Sequence, residues 1–137
     1  MIKEIWINLP VKDVQKSKRF FTDIGFSANA NFPDSEQSAS VMVGEKNVVV
    51  MLFQESVFKG IAQNDPADTK RGTEVLFSFD AESRNEVDEM AVRVKQTGGT
   101  VFGGPAESQG WMYGFGFTDP DDHRWNMLHM DFSKMPK

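Results

Sequence analysis

TEVLFSFDAESRNEVDEMAVRVKQTGG, residues 73–99, is the stretch that decides the fold. Thr73 to Asp80 reads as a strand, with β-branched and aromatic residues in near alternation. Ser83-Arg84-Asn85-Glu86 follows as a capping box, serine at the N-cap and glutamate three residues on. Val87, Met90, Ala91 and Val94 then recur at helical spacing, and Gly98-Gly99 ends the helix. Beyond it come a short strand, Thr100 to Gly103, and an aromatic-rich one, Gly110 to Thr118. Asp119-Pro120-Asp121-Asp122 makes a tight turn, and His123 to Met130 is the last strand. The order is β-α-β-β-β.

The first half repeats that order. Ile5, Ile7 and Leu9 alternate with Trp6 and Asn8, a strand pattern. Asp13 is placed to cap a helix carrying Val14, Ser17, Phe20, Phe21 and Ile24 on one face, with Gly25 as the stop. Strands are expected at Phe26 to Phe32 and Ala39 to Val43, parted by Pro33-Asp34-Ser35. Gly44 to Asn47 turns into Val48 to Phe53, apolar on both faces and so expected to be covered on both. Gln54 to Gln63 predicts a short helix. Residues 64–72 are polar, contain Pro66 and end at Gly72. The fold class is therefore α+β: one domain, residues 1–137, of two βαβββ modules (about 1–63 and 73–137) joined by a linker at about 64–72. They would form a cupped mixed sheet with helices outside. The alternative is a single mixed sheet with an accidental echo.

Composition removes several functions. Hydrophobic residues make up 39% and charged residues 26%, a globular balance. A net charge of -5 and a pI near 5.0 oppose binding to a phosphate backbone, so no nucleic-acid partner is expected. The absence of cysteine excludes disulfides, thiolate metal sites and a thiol nucleophile. The N-terminus has no signal-peptide pattern, and the longest apolar run, Val48 to Phe53, is far short of a membrane span. A cytoplasmic protein without a membrane partner is expected.

The repeat, Val11-Lys12-Asp13 ahead of Ser17 to Phe21, and Asp119-Pro120-Asp121 ahead of the last strand together resemble the vicinal oxygen chelate superfamily of glyoxalase I, extradiol dioxygenases and bleomycin- and fosfomycin-resistance proteins. Ser83 to Gly99 and Trp111 to Asp131 look most like bacterial predicted lactoylglutathione lyases, a label that rests on fold and says little of activity. The resemblance implies a homodimer, with or without exchange of modules. It also implies four metal-ligand positions, which fall here on Trp6, Met51, Glu74 and Asn126. Only Glu74 is a good ligand. Indole does not bind metal, a thioether is too soft for Mg, Mn, Zn or Ni, and an amide offers a neutral oxygen. No cofactor is expected, with at most a weak divalent site at Glu74 left open. His123 and His129 are six residues apart on one expected strand, roughly 20 Å, too far to chelate one ion. His123 is assigned to the turn and His129 to the helix-facing or exposed end, both on the face opposite Asn126.

Alternation then gives the concave face: Trp6 and Asn8; Val49, Met51 and Phe53; Glu74, Leu76 and Ser78; Arg124, Asn126 and Leu128. Trp111 and Tyr113 are placed near its mouth. This lining suits a small organic ligand. Glu74 among apolar neighbours is expected to have a raised pKa and to act as a general base, or else to pair with Arg124. Three functions follow: a metal-free small-molecule binder, a metal-dependent lyase or isomerase, and a metal-free enzyme using Glu74. Gly103-Gly104-Pro105 is expected to be a loop without the residues of a phosphate cradle.

Overall fold

The computed structural model describes all residues, Met1–Lys137. They form two compact units, Met1–Asp68 and Thr69–Lys137.

In the first unit the elements are β1 (Trp6–Val11), α1 (Val14–Asp23), β2 (Ser27–Ala28), β3 (Ser38–Val43), β4 (Val48–Gln54) and α2 (Glu55–Ala62). Sheet order is β1-β4-β3-β2, with β1 parallel to β4 and the other pairs antiparallel. The parallel pair requires a crossover, and α1 supplies part of it. The Asp13 carboxylate accepts the Lys16 amide at 3.0 Å and opens α1. Val14, Phe20, Phe21 and Ile24 then pack on one face of the sheet with Leu9, Val11, Val41, Val50 and Leu52, all buried. Phe26 stacks on Phe21 with ring centres 5.2 Å apart. Gly25, at φ 114°, makes the turn between them.

In the second unit β5 (Leu76–Asp80), α3 (Arg84–Gln96), β6 (Thr100–Ser108), β7 (Met112–Thr118) and β8 (Arg124–Met130) precede a 3-10 turn, Phe132–Lys134. Order β5-β8-β7-β6, with β5 parallel to β8, reproduces the first unit's topology. Two βαβββ units are thus present, and the α+β expectation holds. Val87, Ala91 and Val94 of α3 are buried with Phe115, Phe117, Trp125 and Met127. Phe77 and Phe117 lie against the Trp125 ring at 4.8 and 6.5 Å. Ser83 Oγ accepts the Glu86 amide at 3.1 Å, while the Glu86 carboxylate reaches the Glu82 amide at 3.0 Å. Ser83→Ala is expected to lower stability by about 1 kcal/mol, read as a lower thermal midpoint with an unchanged spectrum of the folded state. No helix is long and apolar enough to cross a membrane.

Three local expectations are corrected. β2 is two residues rather than seven, because only Ser27 and Ala28 find partners on β3. The second-module strand begins at Leu76, not Thr73, because β8 begins at Arg124 and leaves Glu74 nothing to pair with. Gly103-Gly104-Pro105 is not a loop: β6 continues to Ser108 through two register shifts against β7, with Gly104 at φ 77°. Part of the polar 64–72 stretch is tied down, since Thr69 Oγ1 donates to the Asp121 carbonyl at 2.8 Å.

Candidate functional site

The first unit's sheet carries its core on one face and a cleft on the other. Register sets this. Trp6, Asn8 and Pro10 lie beside Val49, Met51 and Phe53, while the alternate residues Val50 and Leu52 are fully buried on the helix side. Trp6, Val49, Met51 and Phe53 line a cleft of about 540 Å³ that opens to solvent. Asn29 and Phe32, from the segment between β2 and β3, form a second wall. Lys3, Glu4, Lys46 and Asn47 close one end. Asn47 sits at φ 52° in a turn held by its amide bonding to the Gly44 carbonyl at 3.1 Å. Trp6 is 57% exposed here, its ring free to meet a ligand, while Met51 is 5% exposed. Such an apolar, partly aromatic lining with a few polar groups at one end is the usual make-up of a small-molecule site.

Of the residues expected on this side, Trp6, Val49, Met51 and Phe53 therefore meet. Asn8 shares their face, half-buried in the row with Met51. The flanking residues were not foreseen: Lys3, Glu4, Asn29, Phe32, Lys46 and Asn47 lie outside regular strands, where alternation assigns no face.

In the second unit, Leu76, Ser78 and Asp80 lie beside Arg124, Asn126 and Leu128. These residues share the face opposite the aromatic core. Asn126 faces Gly116 across the β7 pair, and its Oδ1 is buried without a hydrogen-bond partner. Arg124 does not pair with Glu74. Its guanidinium lies over the Phe102 ring, 4.4 Å from the centre. The expected strand Thr100 to Gly103 is too short for alternation to give Phe102 a face. Glycine at 116 was the available signal, since the Phe102 ring occupies the space of its missing Cβ.

Two expectations here are corrected. Glu74 is exposed and precedes β5, so the burial on which its role as a buried base depended is absent. Tyr113 lies opposite His129, on the helix side, and its hydroxyl donates to Asp88 of α3 at 2.6 Å. That bond holds its phenol above its usual pKa. It does not belong to the face of Asn126. Trp111 lies ahead of β7, its ring 5.9 Å from that of Phe132. His129 Nδ1 meets the Ala81 carbonyl at 3.0 Å, on the helix side as expected.

These donors are a poor set for the metal that the family resemblance implies. Trp6 and Met51 bring no oxygen or nitrogen ligand to the first unit. In the second, Glu74 is exposed and the Asn126 oxygen is buried. Neither unit gathers three His, Cys, Asp or Glu side chains. The residues do not fit a divalent ion.

Paired βαβββ units, each with a parallel strand pair at one edge of a mixed sheet, define a protein of the vicinal oxygen chelate class. The chain belongs to the Glyoxalase/Bleomycin resistance protein/Dioxygenase superfamily, whose model matches residues 5–127. It is similar to a hypothetical protein of S. aureus, with 32% identity over 94% of this chain and 95% of that one and a TM-score of 0.82. A glyoxalase/bleomycin resistance protein/dioxygenase family enzyme from Burkholderia phytofirmans PsJN shares the fold at 16% identity, covering 92% and 97% of the two chains, with a TM-score of 0.78. So does the fosfomycin resistance protein FosX from Listeria monocytogenes, solved with Mn(II) and sulfate, at 19% identity, 98% and 95% coverage and a TM-score of 0.69. No curated protein matches the chain.

Proposed function

We propose that this protein binds a small, flat or amphipathic organic molecule in the first unit's cleft, without a catalytic metal. The observation that carries this is the exposed Trp6 beside Val49, Met51 and Phe53 in one cleft. In support, the positions at which the family resemblance implies nitrogen and oxygen ligands fall on Trp6 and Met51, an indole and a thioether. Lyase or isomerase chemistry of the metal-dependent kind polarises a carbonyl and stabilises developing negative charge, and those donors are what it requires.

A cleft of about 540 Å³ suits a drug-sized ligand. Equilibrium dialysis against a set of bicyclic aromatic compounds is the test. Binding in the micromolar range is expected, with Trp6→Ala weakening it about tenfold through loss of stacking area. Absence of binding across the set, or equal binding by Trp6→Ala, would end the proposal.

A further inference from the structure

We infer that the cleft selects organic anions, an apolar body with a carboxylate head, and that Lys3 and Lys46 hold the head. This rests on the ligand-binding reading of the same cleft. The chain carries a net charge of -5, yet this cleft has two lysines against one glutamate, Glu4. Two other lysines of this unit pair with acids: Lys18 with Asp34, and Lys59 with Asp65 at 2.9 Å. Lys3 and Lys46 have no such partner, and Glu4 is paired with neither. A net positive end in an acidic protein is a local field that draws an anion.

The register gives the ligand a direction. β1 and β4 are parallel, with Trp6 beside Val49. Lys3 and Lys46 each stand three residues ahead of that pair, so both belong to the end of the sheet where the two strands begin. Asn47, at the same end, adds an amide able to donate to a carboxylate oxygen. From there Val49, Met51 and Phe53 run along one face of β4, roughly 13 Å at ~3.3 Å per residue, with no charged residue among them. The cleft is therefore polarised: charge at the strand starts, apolar floor toward the strand ends. A carboxylate lodged between the lysines points its hydrocarbon part down the floor beneath Trp6. A neutral molecule of the same shape keeps the floor and forfeits the head.

Isothermal titration calorimetry with 2-naphthoate and the neutral 2-naphthylmethanol separates these contributions. The native chain is expected to bind the acid at least fivefold more tightly than the alcohol, the preference shrinking as salt is raised. Lys46→Gln and Lys3→Gln should each bring the two affinities together. Glu4→Gln, which removes the opposing charge, should widen the gap. Both lysines and Glu4 are exposed, so these variants are expected to fold, and circular dichroism checks it. Equal affinities for acid and alcohol in the native chain overturn the inference and leave the apolar cleft standing. So does a preference that survives both lysine substitutions, or one that Glu4→Gln abolishes. If neither probe binds, the ligand-binding reading fails and the inference falls with it.

Discussion

Asp119→Ala is expected to lower stability by about 4 kcal/mol at pH 4.5, and by about 2 kcal/mol less than that at pH 7.5. Asp119 is 3% exposed. Its Oδ1 accepts the amides of Asp121 and His123 at 2.9 and 3.0 Å, and its Oδ2 accepts the Trp125 indole N–H at 3.1 Å. The carboxyl thus folds the Asp119 to Asp122 turn onto itself and pins it to the aromatic core. Alanine removes the acceptor of three donors, one of them the indole N–H of Trp125, which is 2% exposed. An orphaned buried donor costs about 1–3 kcal/mol, more than the bond is worth when made.

The pH dependence follows from the same burial. Desolvation raises the Asp119 pKa to about 6 from 3.8, against the opposing pull of His123, the Trp125 bond and the two amides. Between those values the folded chain holds a proton that the unfolded chain has released. The stabilisation is fully present below about 3.8 and is lost as pH rises through about 6. Above that, the ionised buried carboxylate offsets part of what its bonds contribute, so its removal costs less. Urea titrations monitored by tryptophan fluorescence measure the difference. Low protein concentration is needed because the pI is near 5.0. A penalty that stays constant or grows toward pH 7.5 would contradict the assignment.

The turn at Asp119 also illustrates what the sequence discloses. Asp-Pro-Asp-Asp marks a turn on residue types alone, but that its first carboxylate is buried under an indole six residues on depends on strand pairing. The same division runs through the molecule. Helices announced themselves by caps and periodicity: Asp13 and Ser83 both cap as their spacing predicts. The β4 strand was legible because both its faces are apolar, and Trp6, Met51 and Phe53 fell on one face by alternation. Glu74 was misplaced because alternation assigns a face but not where pairing ends. Two residues ahead of Leu76 the rule still points inward, while the chain has already left the sheet. The cleft's charged end was invisible for a related reason. Lys3 and Lys46 sit in segments without a period, and only the parallel pairing of β1 with β4 brings those segments to one end. Tyr113 was assigned to the wrong side because aromatic residues and glycines alternate along β7, and either set could face a ligand. The structure shows that the aromatic set, Phe115 and Phe117 with it, makes the core.

That alternation leads to the second large effect, Gly114→Ala, expected to cost about 3 kcal/mol and to lower the thermal midpoint by roughly 10 °C. A Cβ on residue 114 would stand 2.4 Å from the Met127 carbonyl oxygen and 2.5 Å from Leu128 Cδ2. The first is backbone of the neighbouring β8 and cannot move without opening the β7–β8 ladder. The Gly104 backbone approaches closely from the other side, where a Cβ on Gly104 would come within 2.6 Å of the Gly114 carbonyl. Both neighbours of β7 therefore come close at this point. Gly116, two residues on and on the same face, is the control. The atoms nearest a Cβ there belong to the far edge of the Phe102 ring, at 2.3 Å, and Phe102 is 47% exposed on β6, free to swing outward. Gly116→Ala is expected to cost under about 1 kcal/mol and to free Arg124 from its seat on that ring. Equal destabilisation by the two substitutions, measured in one thermal series, would show that chain entropy rather than backbone contact governs this strand.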